Sequence, residues 1–156
     1  MKKKPDKDGI KIIAQNKKAR FEYHVEDSLE AGLVLQGSEV KSLRDGRASL
    51  SDAYAAIKGG ECFLLNAHIA DYQPASYMNH DPKRPRKLLL HLKEIMKLAS
   101  ALAQKGYTLI PLKLYFKKGR AKIELGLCKG KKHYDKREAI KKRETDREVR
   151  RALQRR

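Results

Sequence analysis

The chain has 156 residues, 37 Lys and Arg against 19 Asp and Glu, a formal net charge of +18 and a pI near 10.0. That length fits one domain with a tail, and no apolar run is long enough to span a bilayer or follow the basic Met1-Lys-Lys-Lys as a secretory signal, so a cytoplasmic protein is expected. Two cysteines 66 positions apart exclude a disulfide framework and a four-cysteine zinc site. The excess charge points to an anionic partner, nucleic acid first, because every phosphate neutralised releases counterions; a membrane surface and plain solubility are the alternatives.

Residues 1–9 read as a flexible basic arm. Phe21, Tyr23 and Val25 alternate with polar residues as in a strand, which Leu33 and Leu35 resume after Gly32, a position suited to a bend or bulge. Ser38 then caps a short helix that Gly46 stops. Residues 53–57 and 62–66 flank Gly59-Gly60 as a hairpin, with a third strand at 68–72. Three prolines and four cations make 74–87 a stiff basic loop. Leu88, Leu92, Ile95, Met96, Ala99, Leu102 and Ala103 have helical spacing, ending at Gly106. A second hairpin runs from Ile110 to Leu127 through a turn at 117–120. This order predicts a mainly β fold: a closed antiparallel barrel of the oligonucleotide-binding type over residues 10–130, with two or three flanking helices. An open α+β sandwich is the runner-up. Closure hides strand edges, which favours a monomer. From residue 131 the apolar positions are too sparse for a buried face, although helix formers abound; residues 131–156 are expected to be disordered alone and helical on an anionic template. Residues 129–156 carry a net +8 and the rest of the chain +10.

None of the five histidines has triad or metal-ligand spacing, so no catalytic residue, metal or cofactor is expected, although a ribonuclease built from distant His and Lys stays open. Basic clusters at Lys17, Lys18 and Arg20, at Lys41, Arg44 and Arg47, and in 83–87 suit phosphate contacts. Tyr23, Tyr77 and Tyr134 are candidates to stack on unpaired bases, Tyr23 also for a core. Glu30 and Glu39 are expected near the RNA face, accepting from base amino groups, orienting a cation, or serving as ordinary counter-charges.

Four segments, 16–20, 30–44, 86–90 and 129–137, together resemble small protein B, the SsrA-binding protein family of bacteria. The resemblance implies a partner of transfer-messenger RNA (SsrA RNA) in trans-translation, not an enzyme, with a barrel that binds the tRNA-like domain of that RNA. It implies that Asn16, Lys17, Glu30, Arg44, Leu89, His91 and Lys122 lie on the RNA-contact surface, His91 where other members carry Asn, and that Lys129, Lys131 and Lys132 form a basic connector. Tyr134, Asp135, Lys136 and Arg137 match the tail motif used on the ribosome. It further implies delivery with elongation factor Tu to stalled ribosomes, the tail entering the vacant messenger channel at the decoding centre. A general ribosomal-RNA-binding protein and an RNA-processing enzyme are the alternatives.

Overall fold

The computed structural model describes residues 9–131 and 133–154, the side chains of Ser76 and 133–136 excepted. Most of the arm, Lys132, and the side chains of Tyr134, Asp135 and Lys136 therefore lie outside the described residues. In chain order the elements are β1 (Ile10–Gln15), α1 (Lys17–Glu22), β2 (Tyr23–Leu33), α2 (Gly37–Arg44), β3 (Ala48–Ser49), β4 (Tyr54–Lys58), β5 (Glu61–Leu65), β6 (His68–Ile69), β7 (Arg86–Leu89), α3 (Leu92–Leu102), β8 (Tyr107–Lys117), β9 (Arg120–Gly130) and α4 (His133–Gln154). The fold is mainly β with four α-helices. Antiparallel pairings run β8–β4–β5–β7–β2–β9 and return from β9 to β8, while β1 adds to the outer part of β8. Among the described residues no helix is long and apolar enough to cross a membrane.

Both hairpins form where turn chemistry places them. Gly59 and Gly60 take φ of 58° and 77°, and Lys118 and Gly119 take 50° and 78°, the positive pair that a two-residue turn matched to strand twist demands. Inside the ring, Leu64, Leu88, Leu109, Leu114, Ile123 and Leu125 are buried, and Cys62 joins them. Burial pushes the thiols of Cys62 and Cys128 up to about 11, so both behave as small apolar groups.

Other expectations shift. Phe21 lies in α1, not in a strand, because Asn16 caps a helix there: its Oδ1 accepts from the Ala19 N–H at 3.3 Å. The bulge in β2 falls between Val25 and Asp27, whereas Gly32 is buried where a Cβ would sit 3.3 Å from that of Leu89. Leu88 belongs to β7, and α3 starts only at Leu92; its inward stripe is Ile95, Leu98 and Leu102, leaving Leu92 and Met96 exposed. The expected third strand shrinks to β6, paired with β3 in a separate two-stranded sheet. The strand at β1 and the helix at α1 were not foreseen. Residues 133–154 form the helix α4, exposed along nearly all its described length, with no Gly or Pro to break it.

Two of the arginines in the 83–87 loop turn inward rather than toward solvent. Arg86 and Glu39 are both fully buried; Arg86 Nε donates to Glu39 Oε2 at 2.5 Å, and its Nη atoms reach the carbonyls of Ala67 (2.6 Å) and Pro82 (3.0 Å). Glu39 Oε1 accepts from Arg84 and from the Gln36 N–H at 2.9 Å. Glu39 is thus an internal ligand for two guanidiniums, not a residue of the outer face. Burial raises its carboxyl, but the bonds from Arg84, Gln36 and Arg86 outweigh that and hold it below the ordinary 4.5. Glu39→Gln should cost about 3–5 kcal/mol at neutral pH, since it leaves Arg86 buried without its counter-charge. A carboxyl lowered by folding stabilises above its ordinary range and stops doing so as pH falls through the folded value. Urea melts at pH 7 and in acid should therefore show the variant losing less stability on acidification; equal losses would refute the assignment.

Candidate nucleic-acid interface

Strand register gathers part of the expected site. Gly32 of β2 lies opposite both Leu89 of β7 and Lys122 of β9, and Tyr115 of β8 lies opposite Lys122 from the other side. Glu30, two residues before Gly32, shares its face of β2. Its Oε2 accepts from the Tyr115 hydroxyl at 2.5 Å and stands 3.5 Å from Lys117 Nζ. The Tyr115 bond, against the penalty of burial and with Lys117 and Lys122 nearby, holds the Glu30 carboxyl below its ordinary 4.5. Burial and the same carboxylate push the Tyr115 hydroxyl well above its ordinary value. Glu30 therefore stays ionised, beside Lys117 and near Lys122.

Beside this cluster opens a groove of about 330 Å³, with Leu33, Leu35, Val40 and Phe116 among its walls and Leu89, Arg120 and Lys122 around them. Leu89 is 54% exposed, an apolar side chain left in water at a basic edge. The combination suits a nucleic acid: apolar surface for sugar and base faces, ammonium and guanidinium groups for phosphates. Arg44 lines a separate hollow with Lys11, Lys41, Asp45 and Tyr72.

The remaining cations gather at the opposite end of β9. Lys129, seven residues and about 23 Å along the strand from Lys122, places its ammonium 5.6 Å from the Tyr107 ring centroid. Lys131 donates through Nζ to the Arg20 carbonyl (3.0 Å) and through its backbone to Glu22 (2.9 Å), tying the root of α4 to α1, where Lys17 is exposed. Arg143 lies over the Phe21 ring at 5.2 Å. Arg137 is exposed on α4. His91 is almost fully exposed at the start of α3, its Nε2 4.0 Å from Glu94.

Asn16 departs from the expectation. Its Nδ2 donates to the carbonyls of Pro111 (3.1 Å) and Leu50 (3.2 Å), and its backbone N–H to Leu112 (2.8 Å). The β8–β9 register shifts between Pro111 and Lys113, and Asn16 donates to the carbonyls of Pro111 and Leu112 at that irregularity. Asn16 positions Lys17 and α1 and has no side-chain group left for RNA. Tyr23 packs against the small cluster of Ala19, Ile110, Leu112 and Cys128, a core role. Sequence reasoning missed Tyr115 and Lys117, because only the β8–β9 register brings them to Glu30.

Fold and surface define a small basic β protein with a nucleic-acid-binding face and a cationic helical tail. The family model described as "SmpB protein" matches residues 13–155. The SsrA-binding protein of Myxococcus xanthus (strain DK1622) is 58% identical over 148 residues, 95% of this chain and 91% of that one. That of Thermobifida fusca (strain YX) is 58% identical over 156 residues, covering 99% and 98%. A solved structure described as "tmRNA-SmpB: a journey to the center of the bacterial ribosome" is 45% identical, with a TM-score of 0.66 over 81% of this chain and 92% of that one. The chain belongs to the SmpB protein family.

Tyr115→Phe should let the Glu30 carboxyl titrate closer to 4.5, because the hydroxyl bond contributes most to its lowering. A carbon-detected NMR titration of wild type and variant measures this; an unmoved Glu30 would mean that the bond does not form in solution.

Proposed function

We propose that this chain binds transfer-messenger RNA and acts with it in trans-translation on stalled ribosomes. The observation that carries the reading is the 58% identity, over 99% of the chain, with a protein named for binding SsrA RNA. That span includes both the strand ring and α4, the two parts to which the proposal gives different work.

We read the ring as a closed oligonucleotide-binding barrel over residues 10–130 that holds the tRNA-like part of the RNA. Lys122, Arg44 and Lys17 meet phosphates, Leu89 offers an apolar edge to a sugar or base, and Glu30 holds Lys117 and Lys122 in place. His91, exposed and able to donate or accept, bonds where other members carry an amide. Lys129 and Lys131, with Lys132, form the connector. The tail, residues 131–156, engages the ribosome: a cationic rod with little packing of its own gains its counter-charges from an RNA-walled messenger channel, with Tyr134, Asp135, Lys136 and Arg137 at the decoding centre. On this reading α4 is the bound form of a segment that melts when free. Elongation factor Tu joins through the RNA. The protein works as a cytoplasmic monomer and a binding partner, catalysing no reaction.

Gel shifts of transfer-messenger RNA and ordinary tRNA across a salt series test the assignment. Transfer-messenger RNA should bind much more tightly, and Lys122→Ala should reduce the slope of log K against log salt by about 0.7–0.9, one phosphate contact. Equal affinity for both RNAs would sink the proposal and favour a general RNA-binding protein. Removing residues 133–156 keeps the Lys131 clamp on α1, so RNA affinity should survive while peptide tagging on stalled ribosomes is abolished. A large loss of affinity on truncation would refute that division.

A further inference from the structure

The hollow beside Arg44 carries more than the phosphate contact expected of that residue. It measures about 420 Å³, within the roughly 300–1,000 Å³ usual for small-ligand sites, and is lined by Lys11, Lys41, Arg44, Asp45 and Tyr72. We propose that it seats one unpaired nucleotide of the bound RNA, with the base on the Tyr72 ring and the phosphate among Lys11, Lys41 and Arg44. This deepens the RNA-binding reading above and rests on it.

The residues converge from separate parts of the chain. Lys11 comes from β1, and Lys41 and Arg44 stand three residues apart, on one side of α2. Lys41 Nζ lies over the Tyr72 ring, 5.7 Å from its centroid, so one face of the ring already faces a cation and the other is the one offered to a base. Lys11 Nζ spends one hydrogen on the Arg44 carbonyl at 3.2 Å and keeps two. Among the described residues the Arg44 guanidinium has no ion pair or hydrogen bond, and it is exposed. Asp45 decides between ligands: a carboxylate repels a bare phosphate but accepts from a base amino group or a ribose hydroxyl.

Tyr72 belongs to neither apolar cluster, yet its backbone is held firmly. Its N–H donates to Asn79 Oδ1 and its carbonyl accepts from Asn79 Nδ2, each at 2.9 Å. Two residues earlier, Ala70 is fastened to the α2 region through Ser42 Oγ (2.6 Å) and the Arg47 carbonyl (3.0 Å). A half-buried tyrosine on a firmly held backbone, next to the exposed Arg44 guanidinium, is a stacking platform that binds without the cost of ordering a loop.

The test uses the full chain and gel shifts on transfer-messenger RNA across salt, with melting curves alongside. Tyr72→Leu, which keeps bulk and removes the π face, should weaken binding about 5- to 150-fold, the worth of one stacked base, with the salt slope unchanged. Tyr72→Phe should bind like wild type, and Lys41→Ala should lower the slope. Wild-type affinity in Tyr72→Leu overturns the proposal, as does an equal loss in Tyr72→Phe. If the wild type shows no preference for transfer-messenger RNA over tRNA, the functional reading falls instead. The hollow is then judged with a single-stranded 2-aminopurine oligonucleotide: quenching by the wild type and not by Tyr72→Leu supports it, and no difference refutes it.

Discussion

The basic surface around α2 depends on a carboxylate that never meets solvent. Glu39 anchors α2 by gripping Arg86 at the start of β7 and Arg84 before it, while Arg86 spends its remaining hydrogens on the carbonyls of Ala67 and Pro82. One acidic side chain thereby sets the distance between a helix, a strand and two loops. Among the described residues no buried side-chain nitrogen or oxygen lacks a hydrogen-bond partner, the condition under which buried charges are tolerable. Geometry matters here because α2 lines both the Leu89–Lys122 groove, through Val40, and the Tyr72 hollow, through Lys41 and Arg44.

Two basic regions result, at opposite ends of β9. Their separation of about 23 Å exceeds the screening length of about 8 Å at physiological salt. Charges at one end therefore barely influence the other, and each end recruits phosphates on its own account. His80 supports the α2 end from inside: Nε2 donates to the Ile69 carbonyl at 2.8 Å, and Nδ1 pairs with the Ser38 hydroxyl at 2.9 Å.

Elements whose signals are local were readable in the sequence. The Gly-Gly and Lys-Gly turns, the alternation of β8 and β9 and the helical spacing near 92–102 each rest on residues close together in the chain. Long-range effects were not readable. Arg84 and Arg86 looked like surface cations because their partner lies 45 and 47 residues away, and Asn16 looked like a contact residue because a carbonyl that takes up its amide lies 95 residues on. The stripe expected for α3 took in Leu92 and Met96, which packing leaves exposed, and passed over Leu98, the residue the helix buries most deeply. Of the site, Leu89 and Lys122 were recoverable by resemblance, whereas Tyr115 and Tyr72 acquire meaning only from their neighbours in space.

The tail's 22-residue helix is fastened at its root by Lys131 and farther along by Arg143 against Phe21, with its apolar residues left in water. At 1.5 Å per residue it extends about 33 Å. Substitutions beyond Arg143 leave no cavity and strand no buried partner, so the folded body does not register them. A cell that removes proteins because they unfold has no way of detecting damage there. Errors in this stretch accumulate at full abundance, and selection acts on them only through the task the helix performs.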